Sequence, residues 1–307
     1  MESLHSEIKF KEYYNPFESA LVVSPNELIQ KYERKFCHIL PFYLSNYSDL
    51  SISIGKSKKL LIFPREIVLA KLVGKMEFDY TSRYLNLGNC KLLVTGGIAN
   101  EETSNSMAFV LDLVTGEKEN LPLLKIPRKR HCMTWIQGSP AVIGGFNGRV
   151  SLPDVEVYLD FEWKIFPHLN RPRNSLSAVS VSQEVYVAGG ANQKNPLNSI
   201  EVFSWPYSEW KELDVKLPIC VYNVGLFHIN NKLLVFGGVM IENKNQEETS
   251  RAFIIEINSK EVKEVQSLKK PMSFPYNMFR ANENPIFITS IGNTIEEVVI
   301  SLDKFLD

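Results

Sequence analysis

Residues able to hold a metal or act as nucleophile and base are few and scattered along this chain. Histidine occurs at His5, His38, His131, His168 and His228, with no metal-ligand spacing. Cys37-His38 and His131-Cys132 are adjacent pairs, and neighbours on a strand point to opposite faces, so neither pair closes readily on one ion. The four cysteines, Cys37, Cys90, Cys132 and Cys220, show no C-x-x-C spacing. They are too few and too dispersed for a disulfide framework and read as buried reduced thiols. Gly55-Lys56-Ser57 has the end of a phosphate-binding loop, but that motif needs a glycine five residues earlier, where Leu50 stands. There is no G-x-S-x-G elbow, and no acid–base carboxylate pair stands out. Neither a metal nor a cofactor is expected. The pattern points away from catalysis, although groups gathered from distant segments would leave no linear motif.

Positive charge is where chemistry concentrates. Three segments read KIPRKRH (125–131), HLNRPRN (168–174) and SLKKPM (267–272). They carry Arg128, Lys129, Arg130, Arg171, Arg173 and Lys269, and Arg149 lies in a nearby polar loop. Guanidinium groups bind carboxylates bidentately, so a convergence of these side chains would suit an acidic peptide or protein loop. Glu101, Glu102, Glu247 and Glu248 lie in other loops and could neutralise such a patch.

A repeat supplies the elements that would position them. KLLVTGG (91–97), SPAVIGG (139–145), EVYVAGG (184–190) and KLLVFGG (232–238) each run into a glycine pair, at intervals of 48, 45 and 48 residues. A polar loop follows each pair, then a second apolar run: MAFVLDL (107–113), DVEVYL (154–159), SIEVFSW (199–205) and RAFIIEI (251–257). Third segments come next, KENL (118–121), EWKIF (162–166), EWKEL (209–213) and EVKEV (261–265). A fourth run, such as HCMTWI (131–136) or SLSAVSV (175–181), leads into the next glycine pair. Four strands a to d per period, with the glycine pair closing strand b, describe one blade of a β-propeller.

In these residues the chain resembles kelch-repeat proteins. Gly189-Gly190, Phe203 and Trp210 carry the likeness best, and Gly144-Gly145, Tyr158 and Trp163 repeat it with shortened spacing. Arg128 followed by His131 also matches, and the likeness covers about residues 80–280. The first and fourth repeats lack the tryptophan. The resemblance implies aromatic residues wedged between blades, and a structural role for arginine in the d–a crossover beside the binding role considered above.

Weaker units at 49–73 and 284–302 bring the count to six, with five or seven as alternatives. The expectation is an all-β, six-bladed kelch-type propeller forming one domain over 1–307. EIKFKEYY (7–14) would supply the strand missing from the last blade and so remove open sheet edges. SPNELIQKYERKF (24–36) reads as a short N-terminal helix, with Ser24 as cap, Pro25 in the first turn and Glu27 completing a capping box. In such a fold the b–c loops and d–a crossovers share one face. The b–c loops IANEETSNS (98–106), FNGRVSLP (146–153), ANQKNPLN (191–198) and VMIENKNQEETS (239–250) are long and polar, as recognition loops are.

Composition sets the outer limits. The 307 residues include 34 Lys and Arg against 35 Asp and Glu, a formal net charge of -1, which gives no basic excess for nucleic acid. MESLHSEIKF lacks the apolar core of a secretory signal, and no apolar stretch approaches a membrane span. The reading is a cytoplasmic, non-catalytic protein-binding scaffold or adaptor, a subunit of a larger assembly such as a cytoskeletal or organelle complex. Two alternatives stay open. One is substrate recognition for a ubiquitin ligase through a separate adaptor. The other is an enzyme with an axial small-molecule pocket.

Overall fold

The computed structural model describes residues 52–54, 60–62, 81–88, 91–99, 103–112, 117–205, 208–242, 245–265, 267–268, 271, 273, 279–281, 284–291 and 294–299. The strand expected at 7–14, the helix at 24–36 and the run at 66–73 lie outside these residues, as does Lys269.

Each glycine-pair run is the second strand of a four-stranded antiparallel sheet laid down in simple order a-b-c-d. The first sheet comprises Arg83–Gly88, Lys91–Thr95, Ala108–Asp112 and Lys118–Asn120. In the second these are Cys132–Ile136, Ser139–Ile143, Val155–Leu159 and Glu162–Phe166. Ser177–Val181, Glu184–Ala188, Ser199–Ser204 and Glu209–Lys216 form the third. The fourth holds Gly225–Ile229, Lys232–Phe236, Ala252–Glu256 and Val262–Val265. Ile52–Ile54 pairs with Leu60–Ile62, and Phe279–Ala281, Asn284–Ile291 and Thr294–Val299 form a three-stranded sheet. The described residues are all-β and contain no helix.

Strand chemistry follows depth. The b strands are apolar runs buried along most of their length, as in Ala141, Val142 and Ile143. In the d strand of the second sheet Trp163 is buried between exposed Glu162 and half-buried Lys164, as neighbours on a strand point to opposite faces. Strand a of each sheet lies against strand a of the next. Hydroxyls help to join them, since Thr134 and Ser180 share a hydrogen bond of 2.7 Å and Ser177 Oγ donates to the Val224 carbonyl at 2.6 Å.

Three buried clusters join neighbouring sheets. Leu85 and Leu93 of the first sheet cluster with Met133, Val142 and Trp163 of the second. Ile143 and Val155 of the second cluster with Val185, Phe203 and Trp210 of the third. Tyr186 and Val202 of the third belong to a cluster with Leu226, Leu233 and Val235 of the fourth. Trp163 tilts against Tyr158 at 5.2 Å and Trp210 against Phe203 at 5.5 Å, so the aromatic pairs are packing residues.

The glycine pair is required by close approach between sheets. Gly96 has φ +61, and a Cβ there would meet the Arg128 carbonyl at 2.3 Å. Gly97 N–H donates to that same carbonyl at 2.9 Å, so the backbone of the first sheet is tied to the crossover entering the second. One expectation about thiols fails. Cys132 is buried, but Cys220 is exposed, because it lies on a crossover beside the strands rather than within one.

Candidate protein-binding face

The d–a crossovers and b–c loops meet. Isolated bridges pair Lys129 with Phe146, Asn174 with Ala191 and Tyr222 with Val239, each joining a crossover to the b–c loop of the sheet it enters. The b–c loops are also tied to one another. Ser104 Oγ donates to the Phe146 carbonyl at 2.8 Å, and Ser151 Oγ accepts from Gln193 N–H at 2.8 Å and from Asn174 Nδ2 at 2.9 Å. Loops cross-linked in this way present a surface of fixed shape.

Arg128 and Arg173 do not belong to that surface, which corrects the expectation of a mouth lined by all the arginines. Both side chains are 0% exposed, each 2.6 Å from a carboxylate that is also 0% exposed. Arg128 donates to the carbonyls of Gly144 and Asp154, both at 2.8 Å, and to Glu156. Arg173 makes the same set with Gly189, Ser199 and Glu201 at identical sequence separations. Glu156 also accepts the backbone N–H of Lys125 and Ile126, and Glu201 those of Asn170 and Arg171. Burial pulls both guanidinium pKa values down, and the paired carboxylate opposes that shift. These arginines fasten a crossover to strand c of the next sheet. The physical reason is desolvation: a charge in an apolar sheet interior persists only with its counter-ion and hydrogen bonds complete.

The remaining cations divide by partner. Arg171 is exposed but grips Glu212 bidentately at 2.6 and 3.3 Å, and this hydrogen bond raises its pKa. Lys129 is mostly buried, with Nζ 6.0 Å from the Phe146 ring centroid. Arg130 and Arg149 are exposed and have no carboxylate partner among the described residues. Asn147 Oδ1 accepts the N–H groups of Arg149 and Val150, both at 2.9 Å, which fixes the turn carrying Arg149.

Arg130 is exposed at a left-handed backbone position that recurs in the following crossovers. Its φ is +54, and Ser175 and Asn223 at the equivalent crossover positions have φ +52. Their N–H groups hand on from sheet to sheet: Arg130 donates to the Thr81 carbonyl at 3.2 Å, Ser175 to Arg130 at 2.8 Å, and Asn223 to Ser175 at 2.9 Å. Arg128 is buried in the sheet interior, while Arg130, two residues on, faces solvent. Tyr222 shares the electrostatic environment of Arg130; burial raises its phenol pKa, and the nearby guanidinium opposes the shift.

His131 is buried next to this rim. Its Nε2 lies 2.8 Å from Thr95 Oγ1, and Nδ1 has no hydrogen-bond partner among the described residues. Burial, reinforced by Arg83 and Arg128, holds its pKa well below the usual value, so the ring is neutral. Burial also pushes the Cys132 thiol up to about 12. No group of three or more His, Cys, Asp or Glu side chains suited to a metal occurs among the described residues. No described helix is long and apolar enough to cross a membrane.

Sequence reading missed Glu156, Glu201, Phe146 and Tyr222. A signal existed for the first two: VEV and IEV each place a carboxylate inside an otherwise apolar strand, where it demands a buried cation. Phe146 and Tyr222 give no such sign. No protein-family model matches the chain.

Proposed function

We propose that this chain is a six-bladed kelch-type β-propeller that serves in the cytoplasm as a non-catalytic protein-binding scaffold. Its ligand is a protein partner with an acidic segment, held by the face built from b–c loops and d–a crossovers. Four consecutive a-b-c-d sheets, joined through their a strands and packed through tryptophan, glycine pairs and crossover arginines, support the propeller reading. The observation that carries the binding reading is the placement of Arg130 and Arg149. Both stand exposed on cross-linked loops, without a carboxylate partner among the described residues. A rigid frame with unpaired guanidinium groups binds carboxylates at low ordering cost.

Affinity capture with mass spectrometry tests this, comparing wild type with an Arg130→Glu/Arg149→Glu variant. The substitutions leave both buried ion pairs untouched, so folding is preserved. Loss of one specific partner is the expected result. Retention of every partner by the variant would overturn the assignment of this face.

A further inference from the structure

The b–c connection of the fourth sheet is not a loop but a ribbon. Val239–Glu242 pairs with Asn245–Glu248 in register from Val239 with Glu248 to Glu242 with Asn245. The ribbon forms a separate two-stranded sheet, and its second strand is exposed along its whole length. Ile241 is also exposed. The bridge between Tyr222 and Val239 anchors the base of the ribbon, so its exposed strand is held out as a fixed surface.

Its charge says which kind. Residues 239–248 contain Glu242, Glu247 and Glu248 against Lys244 alone. Glu248 accepts a hydrogen bond from Ser273 Oγ at 2.7 Å, whereas Glu242 and Glu247 have no ion-pair partner among the described residues. The nearby Arg251 is paired with Glu264 at 2.8 Å, and Glu242 adds to the negative field that raises its pKa. On the same set of loops, Arg130 and Arg149 of the second sheet and Lys194 of the third are exposed and, among the described residues, equally without carboxylate partners. One face therefore carries cations over its second and third sheets and an acidic ribbon over its fourth.

We propose that a second copy of this chain docks on this face, the ribbon of each molecule lying on the Arg130, Arg149 and Lys194 loops of the other. This rests on the reading of the face as a protein-binding surface and names one of its ligands. Complementary halves on a single face suit a two-fold contact, in which both ribbon-to-cation contacts form together. Pairing of ribbon with ribbon is disfavoured, because Glu247 and Glu248 line the free edge.

Analytical ultracentrifugation of the full chain tests the proposal. Wild type is expected to dimerise, with the association weakening as salt rises. Glu242→Lys/Glu247→Lys and Arg130→Glu/Arg149→Glu are each expected to be monomeric, since each turns both contacts repulsive. An equimolar mixture of the two is expected to regain the dimer, because both contacts again join opposite charges, and that rescue shows both variants folded. A monomeric wild type, or a dimer unaffected by either variant, would overturn self-docking. A monomeric wild type that still captures a partner through Arg130 and Arg149 would discard self-docking while leaving the scaffold reading intact.

Discussion

Val221 occupies, in the fourth sheet, the place that Arg173 occupies in the third. The Val221 carbonyl accepts the Gly190 N–H at 3.0 Å, as the Arg173 carbonyl accepts that of Gly145 at 2.9 Å. Opposite strand b, Phe253 faces Val235 where Glu201 faces Val187. Valine and phenylalanine thus stand where the third sheet has a buried ion pair, and both are 1% exposed. The backbone staple between sheets is kept while the side-chain chemistry is exchanged.

The consequence is an asymmetry between single and double substitution. Arg173→Ala leaves Glu201 buried without its cation and is expected to cost about 3–5 kcal/mol. Arg173→Val combined with Glu201→Phe copies the fourth sheet and should recover most of that loss. Urea denaturation followed by circular dichroism measures both; a double variant as unstable as the single one would refute the equivalence.

Acid should weaken the fold through His131. Its pKa in the fold is held well below 6.5 by burial, so between that value and about 6.5 the unfolded chain binds the extra proton. Its contribution is therefore complete above about pH 6.5 and is lost as pH falls toward the folded pKa, at up to about 1.4 kcal/mol per pH unit. A thermal series from neutral to mildly acid pH should show Tm falling, with a shallower fall in His131→Gln. Equal slopes in the two proteins would remove His131 as the cause.

The two buried tryptophans should tolerate loss of the indole N–H far better than loss of the ring. Among the described residues, neither Trp163 Nε1 nor Trp210 Nε1 has a hydrogen-bond partner. Trp163→Phe should therefore cost only the lost volume, whereas Trp163→Ala should cost about 3–5 kcal/mol. Comparing the two denaturation midpoints decides whether the side chain acts by packing alone.

Thiol labelling should separate two cysteines. Cys220 is exposed, while Cys132 is buried with its thiol pushed up to about 12. Under native conditions an alkylating reagent should modify Cys220 and spare Cys132 until denaturant is added. Peptide mapping by mass spectrometry reads the result directly, and rapid native labelling of Cys132 would contradict its burial.

What could be read from the sequence was periodic and local. Glycine pairs at near-constant intervals placed the b strands, apolar runs placed the c strands, and Trp163 and Trp210 signalled buried aromatic wedges. These features repeat along the chain, so each copy reinforces the others. The fate of the arginines was not local. Arg128 and Arg130 are two residues apart in one basic run, yet one is sealed against Glu156 and the other faces solvent. That division depends on a carboxylate 28 residues away, which takes Arg128 inward, and on backbone hydrogen bonds that tie Arg130 to the preceding and following crossovers. Both arise only when neighbouring sheets pack. Sequence alone specified the strands and the charge available to a binding face, whereas tertiary packing decided which charges reach that face, because desolvation spares only those it does not bury.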